Sequence, residues 1–82
     1  MSKASFKLSV LTHEKELFAG KAVSLVARAQ DGELGILANH APLLTLLGKG
    51  RIRFTTAEGE NREFKTEQGF LKASNNQVTA LL

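Results

Sequence analysis

The chain has 82 residues, too few for a second domain at about 100–200 residues each, so residues 1–82 read as one domain with a single thin core. Hydrophobic residues make up 43% and charged residues 23%, with one proline, a globular balance rather than a disordered one. Cysteine is absent, which excludes disulfides, thiolate metal sites and cysteine nucleophiles, and a net charge of +3 permits a polyanionic partner without demanding one.

Taken in chain order, the opening Met1 to Lys7 shows no apolar run behind Lys3, which argues against a secretory signal. Phe6, Leu8 and Val10 alternate with Lys7 and Ser9, the period of a half-buried strand. Thr12 to Glu16 is a polar break, and Leu17-Phe18-Ala19-Gly20 a short apolar segment ending on glycine. Val23, Leu25, Ala27 and Ala29 make a second alternating strand that ends at the turn signal Gln30-Asp31-Gly32. Leu34 and Ile36 flank Gly35 as in a short strand, and Asn39-His40-Ala41-Pro42 is a loop. Leu43 to Leu47 fits a strand or a helical turn, and Gly48-Lys49-Gly50 is expected to turn the chain. Ile52 and Phe54 alternate with Arg51, Arg53 and Thr55, and a hairpin-type connection follows over 57–61. Phe64 and Thr66 lie between charged neighbours, Gly69-Phe70-Leu71 resumes the core, Ser74-Asn75-Asn76 turns, and Val78, Ala80 and Leu82 alternate to the end. Roughly eight or more short strands at a spacing of about 8–12 residues predict an antiparallel sandwich or flattened barrel. Phe6, Leu8, Val23, Leu25, Ile36, Ile52, Phe54, Phe70 and Val78 are its expected core. The longest apolar stretch, Ala41 to Leu47, is well short of the roughly 20 residues that span a bilayer, so a soluble, intracellular chain is expected, free to sit beside a membrane by binding something embedded there.

Motifs for chemistry are weak. His13 and His40, the only histidines, are 27 positions apart in different loops and read as solvated rather than as metal ligands. Ser9, His40 and Asp31 supply the letters of a catalytic triad, but no nucleophile-elbow pattern surrounds a serine. Glu14 and Glu16, like Glu58 and Glu60, fall in turns where solvated charge is the default. Gly48-Lys49-Gly50 lacks the spacing of a phosphate loop. Arg51 and Arg53 share one face of a strand, which keeps open an alternative reading, a small basic β-barrel that binds nucleic acid; against it, the phenylalanines fall on the apolar phase and the cations are interleaved with glutamates. No catalytic, metal or cofactor site is expected.

Residues 31–47, Asp-Gly-Glu-Leu-Gly-Ile-Leu-Ala-Asn-His-Ala-Pro-Leu-Leu-Thr-Leu-Leu, stand apart. Glu33 and His40 frame an apolar run that a thin domain cannot fully bury, with two glycines and a proline constraining the backbone. The stretch is either a core strand plus loop or an exposed apolar patch with a polar rim, the usual mark of a protein partner.

The string Gly32-Glu33-Leu34-Gly35-Ile36-Leu37-Ala38-Asn39-His40-Ala41-Pro42-Leu43-Leu44 resembles the hallmark of the epsilon subunits of F-type rotary ATP synthases, whose mitochondrial counterpart is called delta. Leu11-Thr12 through Gly20, the strand Val23 to Ala27, and Gly69-Phe70-Leu71 with Asn76-Gln77-Val78-Thr79 are similar to the corresponding family elements, so the resemblance covers essentially the whole chain. Ala38 stands where many members have proline, which implies a less rigid loop, and Gln68 where a second glycine is usual, which implies a departure in the local turn geometry. The resemblance implies a ten-stranded antiparallel β-sandwich, here without the two-helix C-terminal domain of the family. It implies a non-catalytic, cofactor-free piece of the central rotor that links the gamma subunit to the membrane c-ring and couples proton flow to ATP synthesis. Such a subunit is peripheral to the cytoplasmic face of a bacterial plasma membrane, or to the equivalent organellar membrane. Carried over by position, Asp31, Gly32 and Glu33 are candidates for c-ring contact, and Thr12, His40, Ala41, Pro42 and Thr45 for gamma contact. Neither inhibition of hydrolysis by extended helices nor ATP binding is expected of the stretch ending at Leu82.

Overall fold

The computed structural model describes residues 4–82. Seven strands follow one another: β1 (Phe6–Leu11), β2 (Glu16–Ala29), β3 (Gly32–Leu37), β4 (Leu43–Thr56), β5 (Asn61–Thr66), β6 (Gly69–Ser74) and β7 (Gln77–Leu81). They pair in the order β3-β2-β1-β7-β6-β4-β5, and a further β2–β4 pairing closes β2, β1, β7, β6 and β4 into a ring. Closure pairs β2 with β4 inside the ring, while β3 and β5, at the two ends of the order, each pair with one strand among the described residues. β3 and β5 flank the ring on the C-terminal halves of β2 and β4.

The ten strands expected from the resemblance are seven here. The segments on either side of Gly48-Lys49-Gly50 are one 14-residue strand, β4, and Leu17 to Ala29 is continuous within β2, also 14 residues. Each long strand crosses from one layer to the other. β2 pairs with β1 through Ala22 and with β3 from Ser24 onwards. β4 pairs with β6 through Leu47 and with β5 from Gly50 onwards. The Gly48 carbonyl at the β4 bend accepts a hydrogen bond from the Thr66 hydroxyl at 2.8 Å, so the crossing leaves that group satisfied. The sheet is not wholly antiparallel either: β1 and β7 run parallel, from Lys7 opposite Gln77 to Leu11 opposite Leu81. A ring of five strands cannot alternate direction all the way round, so one parallel pair is a condition of closure.

The core is drawn from the inward phase of each strand: Phe6, Leu8 and Val10 of β1, Leu25 of β2, Ile36 of β3, Leu47, Ile52 and Phe54 of β4, Leu71 of β6 and Val78 of β7 are all buried. Phe18 stacks at 4.8 Å on Phe54, and the Arg62 guanidinium lies 5.5 Å over the Phe18 ring, a cation–π contact covering that edge. Two expected core residues are not buried. Val23 is the extra residue of a bulge, since pairing steps from Ala22–Thr56 to Ser24–Thr55, and it is only half-buried. Phe70 is 38% exposed because Leu71 and Ala73 take the inward phase of β6.

The glycine before Phe70 is the one the fold needs. A side chain at Gly69 would collide with the Leu81 carbonyl of β7, whereas Gln68 is exposed at the bend before it, so the missing second glycine leaves the turn intact.

Candidate docking surfaces

β3 carries candidate residues at both of its ends. At one, a two-residue turn, Gln30-Asp31, joins β2 to β3, with Ala29 opposite Gly32. Gly32 adopts φ +135°, a conformation that side-chain-bearing residues rarely hold. Asp31 and Glu33 are exposed. The Glu33 carboxylate lies 3.7 Å from the Arg53 guanidinium, with 61% and 58% of the two side chains exposed, so water and salt screen the pair. Arg28 faces Glu33 in register, and Arg51 beside them bonds Glu63 at 2.9 Å. Glu33 is thus an acidic point on a sheet face otherwise rich in arginine.

At the other end the chain leaves β3 through Ala38 and the left-handed Asn39 (φ 63°), then passes His40, Ala41 and Pro42, all three exposed, into β4. The Asn39 N–H donates to Asn76 Oδ1 at 2.7 Å. His40 Nδ1 donates to the Ala41 carbonyl at 2.7 Å. Beyond Pro42 the outer face of β4 is apolar, with Leu44 70% and Leu46 57% exposed. Leu46 is opposite Phe70, and Phe70 opposite Leu81. These three, with Leu82, His13 and Gln30, line an open groove of about 410 Å³.

The structure therefore keeps Asp31, Gly32 and Glu33 together and brings His40, Ala41 and Pro42 together at the far end of β3. Two candidates fall elsewhere. Thr12 belongs to the β1–β2 turn, beside the Gln30 end. Its hydroxyl oxygen accepts from the Glu14 and Lys15 N–H groups at 3.2 and 3.1 Å, so it is engaged in holding that turn. Thr45 is half-buried and shares the phase of Leu43 and buried Leu47; the side chains presented outward beside it are Leu44 and Leu46. Those two and Phe70 are surface residues that position-by-position reasoning passed over. The signal was present for β4: Leu43 to Leu47 is apolar on both phases, and a thin domain buries only one. His13 and His40 lie in different turns, and among the described residues no group of three or more acids and histidines is placed to hold a metal ion.

Curated relatives include the ATP synthase epsilon chain of Dichelobacter nodosus, 37% identical over 76 residues, a match covering 93% of this chain and 53% of the relative. The ATP synthase epsilon chain of Xanthomonas oryzae pv. oryzae is 39% identical over 79 residues, covering 96% and 56% respectively. The chain thus spans a little over half the length of these relatives. Among solved structures, a chain of the Euglena gracilis mitochondrial ATP synthase, OSCP/F1/c-ring in rotational state 1, superposes with a TM-score of 0.88 at 18% identity, covering 99% of this chain and 52% of that one. A chain of the Tetrahymena thermophila mitochondrial ATP synthase central stalk and c-ring does so at 0.77 and 17%, covering 99% and 65%. At those identities the likeness is one of fold. Residues 5–82 match the family described as ATP synthase, Delta/Epsilon chain, beta-sandwich domain, and with relatives above 30% identity along nearly all its length, the chain belongs to that family.

Proposed function

We propose that this chain is the sandwich part of a non-catalytic central-stalk subunit of a proton-translocating F-type ATP synthase, joining the gamma subunit to the c-ring. The observation that carries the reading is the family membership over residues 5–82, combined with two exposed candidate surfaces held at opposite ends of one short, buried-anchored strand. A coupling element has to pass force between two partners without bending. A closed ring of strands with β3 fixed by buried Ile36 is suited to that task.

In this reading Asp31, Gly32 and Glu33 meet the polar loops of the c-ring. His40, Ala41 and Pro42, continued by Leu44, meet gamma, with Thr45 beside them on β4 and Thr12 a more remote gamma candidate in the β1–β2 turn. The assembly, and with it the chain, sits peripherally on the energy-transducing membrane, on the cytoplasmic face in a bacterium. The nucleic-acid alternative gains no support from the geometry. Phe54, next to Arg51 and Arg53, is 3% exposed, and those arginines face Glu63 and Glu33.

The test is reconstitution. The chain is mixed with gamma and, separately, with purified c-ring from the same cell, and complexes are followed by size exclusion. Association with gamma, and a ternary complex when both partners are present, is expected. Absence of binding to either partner, or tighter salt-sensitive retention on single-stranded nucleic acid, overturns the reading.

A further inference from the structure

The β6–β7 hairpin turns on two residues, Asn75 and Asn76, with Ser74 opposite Gln77. Their φ values of 52° and 59° make a primed turn, the kind whose twist matches the flanking strands, and asparagine is among the few side-chain-bearing residues that adopt it readily. That accounts for the backbone of both residues. It does not account for the side chain of Asn76, which reaches two other segments. Its Oδ1 accepts from the Asn39 N–H at 2.7 Å, and its Nδ2 donates to the Ser5 carbonyl at 2.9 Å. The Asn76 carbonyl itself accepts from the Lys7 N–H at 3.1 Å.

The bond to Asn39 is the only hydrogen bond, among the described residues, from loop 38–42 to another element. The contact spans 37 positions of sequence and sits beside a crevice lined by Phe6, Leu37, His40 and Asn76. A left-handed residue such as Asn39 fixes the direction in which the chain leaves β3. Holding its N–H therefore fixes where His40 and Pro42 point.

We propose that Asn76 is a positioning residue for the docking loop: its side-chain amide pins Asn39, and through it sets the orientation of His40, Ala41 and Pro42 for gamma. The second half of this inference rests on the docking reading above; the first half, the pin itself, does not.

The experiment compares three variants of the full chain. Asn76→Gly keeps the left-handed turn and removes both side-chain bonds. Asn76→Asp keeps an Oδ acceptor for Asn39 and replaces the donor to Ser5 by a carboxylate oxygen facing that carbonyl. Asn75→Gly loosens the same turn by the same backbone entropy without touching the pin, since no side-chain bond of Asn75 occurs among the described residues. Amide hydrogen exchange at Asn39 and affinity for gamma are measured for each.

One neutral hydrogen bond contributes on the order of a factor of ten, so Asn76→Gly is expected to speed Asn39 exchange about tenfold and weaken gamma binding by a similar factor. Asn75→Gly is expected to stay within about twofold of the unmodified chain on both readouts, and Asn76→Asp, which keeps the acceptor, to exchange at Asn39 more slowly than Asn76→Gly. Equal Asn39 exchange in the unmodified and Asn76→Gly chains overturns the pin. Faster exchange with unchanged gamma affinity overturns the positioning role. An equal loss of affinity in Asn75→Gly assigns the effect to turn stability and overturns it too. If the unmodified chain binds no gamma, the docking reading fails, while the exchange comparison still decides the pin.

Discussion

The two ends of β3 are built on opposite plans. At the Gly32 end the turn is tied at its base, where the Gln30 N–H bonds the Leu46 carbonyl at 3.1 Å, and Glu33 lies in an exposed, solvent-screened pair with Arg53 at 3.7 Å. At the Leu37 end the loop is held by a side chain from a hairpin remote in sequence, and the chain continues into a band of exposed leucines. A free acidic tip suits recognition by charge, which tolerates small displacements because Coulomb attraction falls off slowly with distance. A pinned loop on an apolar band suits recognition by shape, which tolerates them less, because a gap of about 0.5–1 Å already forfeits roughly a quarter to a half of a dispersion contact. Six residues of strand thus separate two tips suited to different kinds of recognition.

The comparison breaks completely if β3 comes loose. Ile36 is its buried anchor, and Ile36→Ala is expected to cost about 2–5 kcal/mol in chemical denaturation, a large share of a small domain's stability, and to raise hydrogen exchange at both ends together. A loss below about 1 kcal/mol, or loosening confined to one end, means that β3 is not the common strut. A narrower change acts at one end alone. Gly32→Ala places a side chain at φ +135° with open space around it, so its cost is backbone strain rather than collision, about 1 kcal/mol or somewhat more. Exchange is expected to rise around Asp31 and to stay unchanged at Asn39. A matching rise at Asn39 contradicts the independence of the two ends.

Much of this was legible in the residues. The alternations Phe6-Leu8-Val10 and Ile52-Phe54 locate buried faces directly, because period two has only two phases and one of them is charged. Gly48-Lys49-Gly50 reads locally as a turn. It is a bend inside a paired strand, because pairing with β6 before it and with β5 and β2 after it is a tertiary fact that no window of a few residues contains. The same holds for Val23, whose bulge exists only relative to Thr55 and Thr56 on another strand. Asp31, Gly32 and Glu33 were visible as a turn with a framed carboxylate. Which of Leu43 to Leu47 face outward was not legible, since an apolar run on both phases hides the exposed one; the structure presents Leu44 and Leu46 and half-buries Thr45. Asn76 was visible only as a turn residue; its bonds to Asn39 and Ser5 join segments 37 and 71 positions away.

The finest distinction between the ends is whether Glu33 acts through its charge. Glu33→Lys removes an exposed 3.7 Å pair and places a cation on a face already holding Arg28, Arg51 and Arg53. Exposed pairs contribute about 0–1 kcal/mol, so the midpoint of unfolding is expected to move little. At the proposed c-ring contact the expected outcome differs, because reversing a charge there would exchange attraction for repulsion against the same partner group. Association is expected to weaken roughly tenfold at low salt, with the gap to the unmodified chain narrowing as ionic strength rises and the Debye length falls below about 10 Å. Gamma binding, proposed for the other end of β3, is expected to be unaffected. Association with the ring measured at two salt concentrations, with gamma binding alongside, checks all of this. A loss equal at both salt concentrations points to shape rather than charge at the tip, and an equal loss of gamma binding means that the two ends of β3 are not separate surfaces.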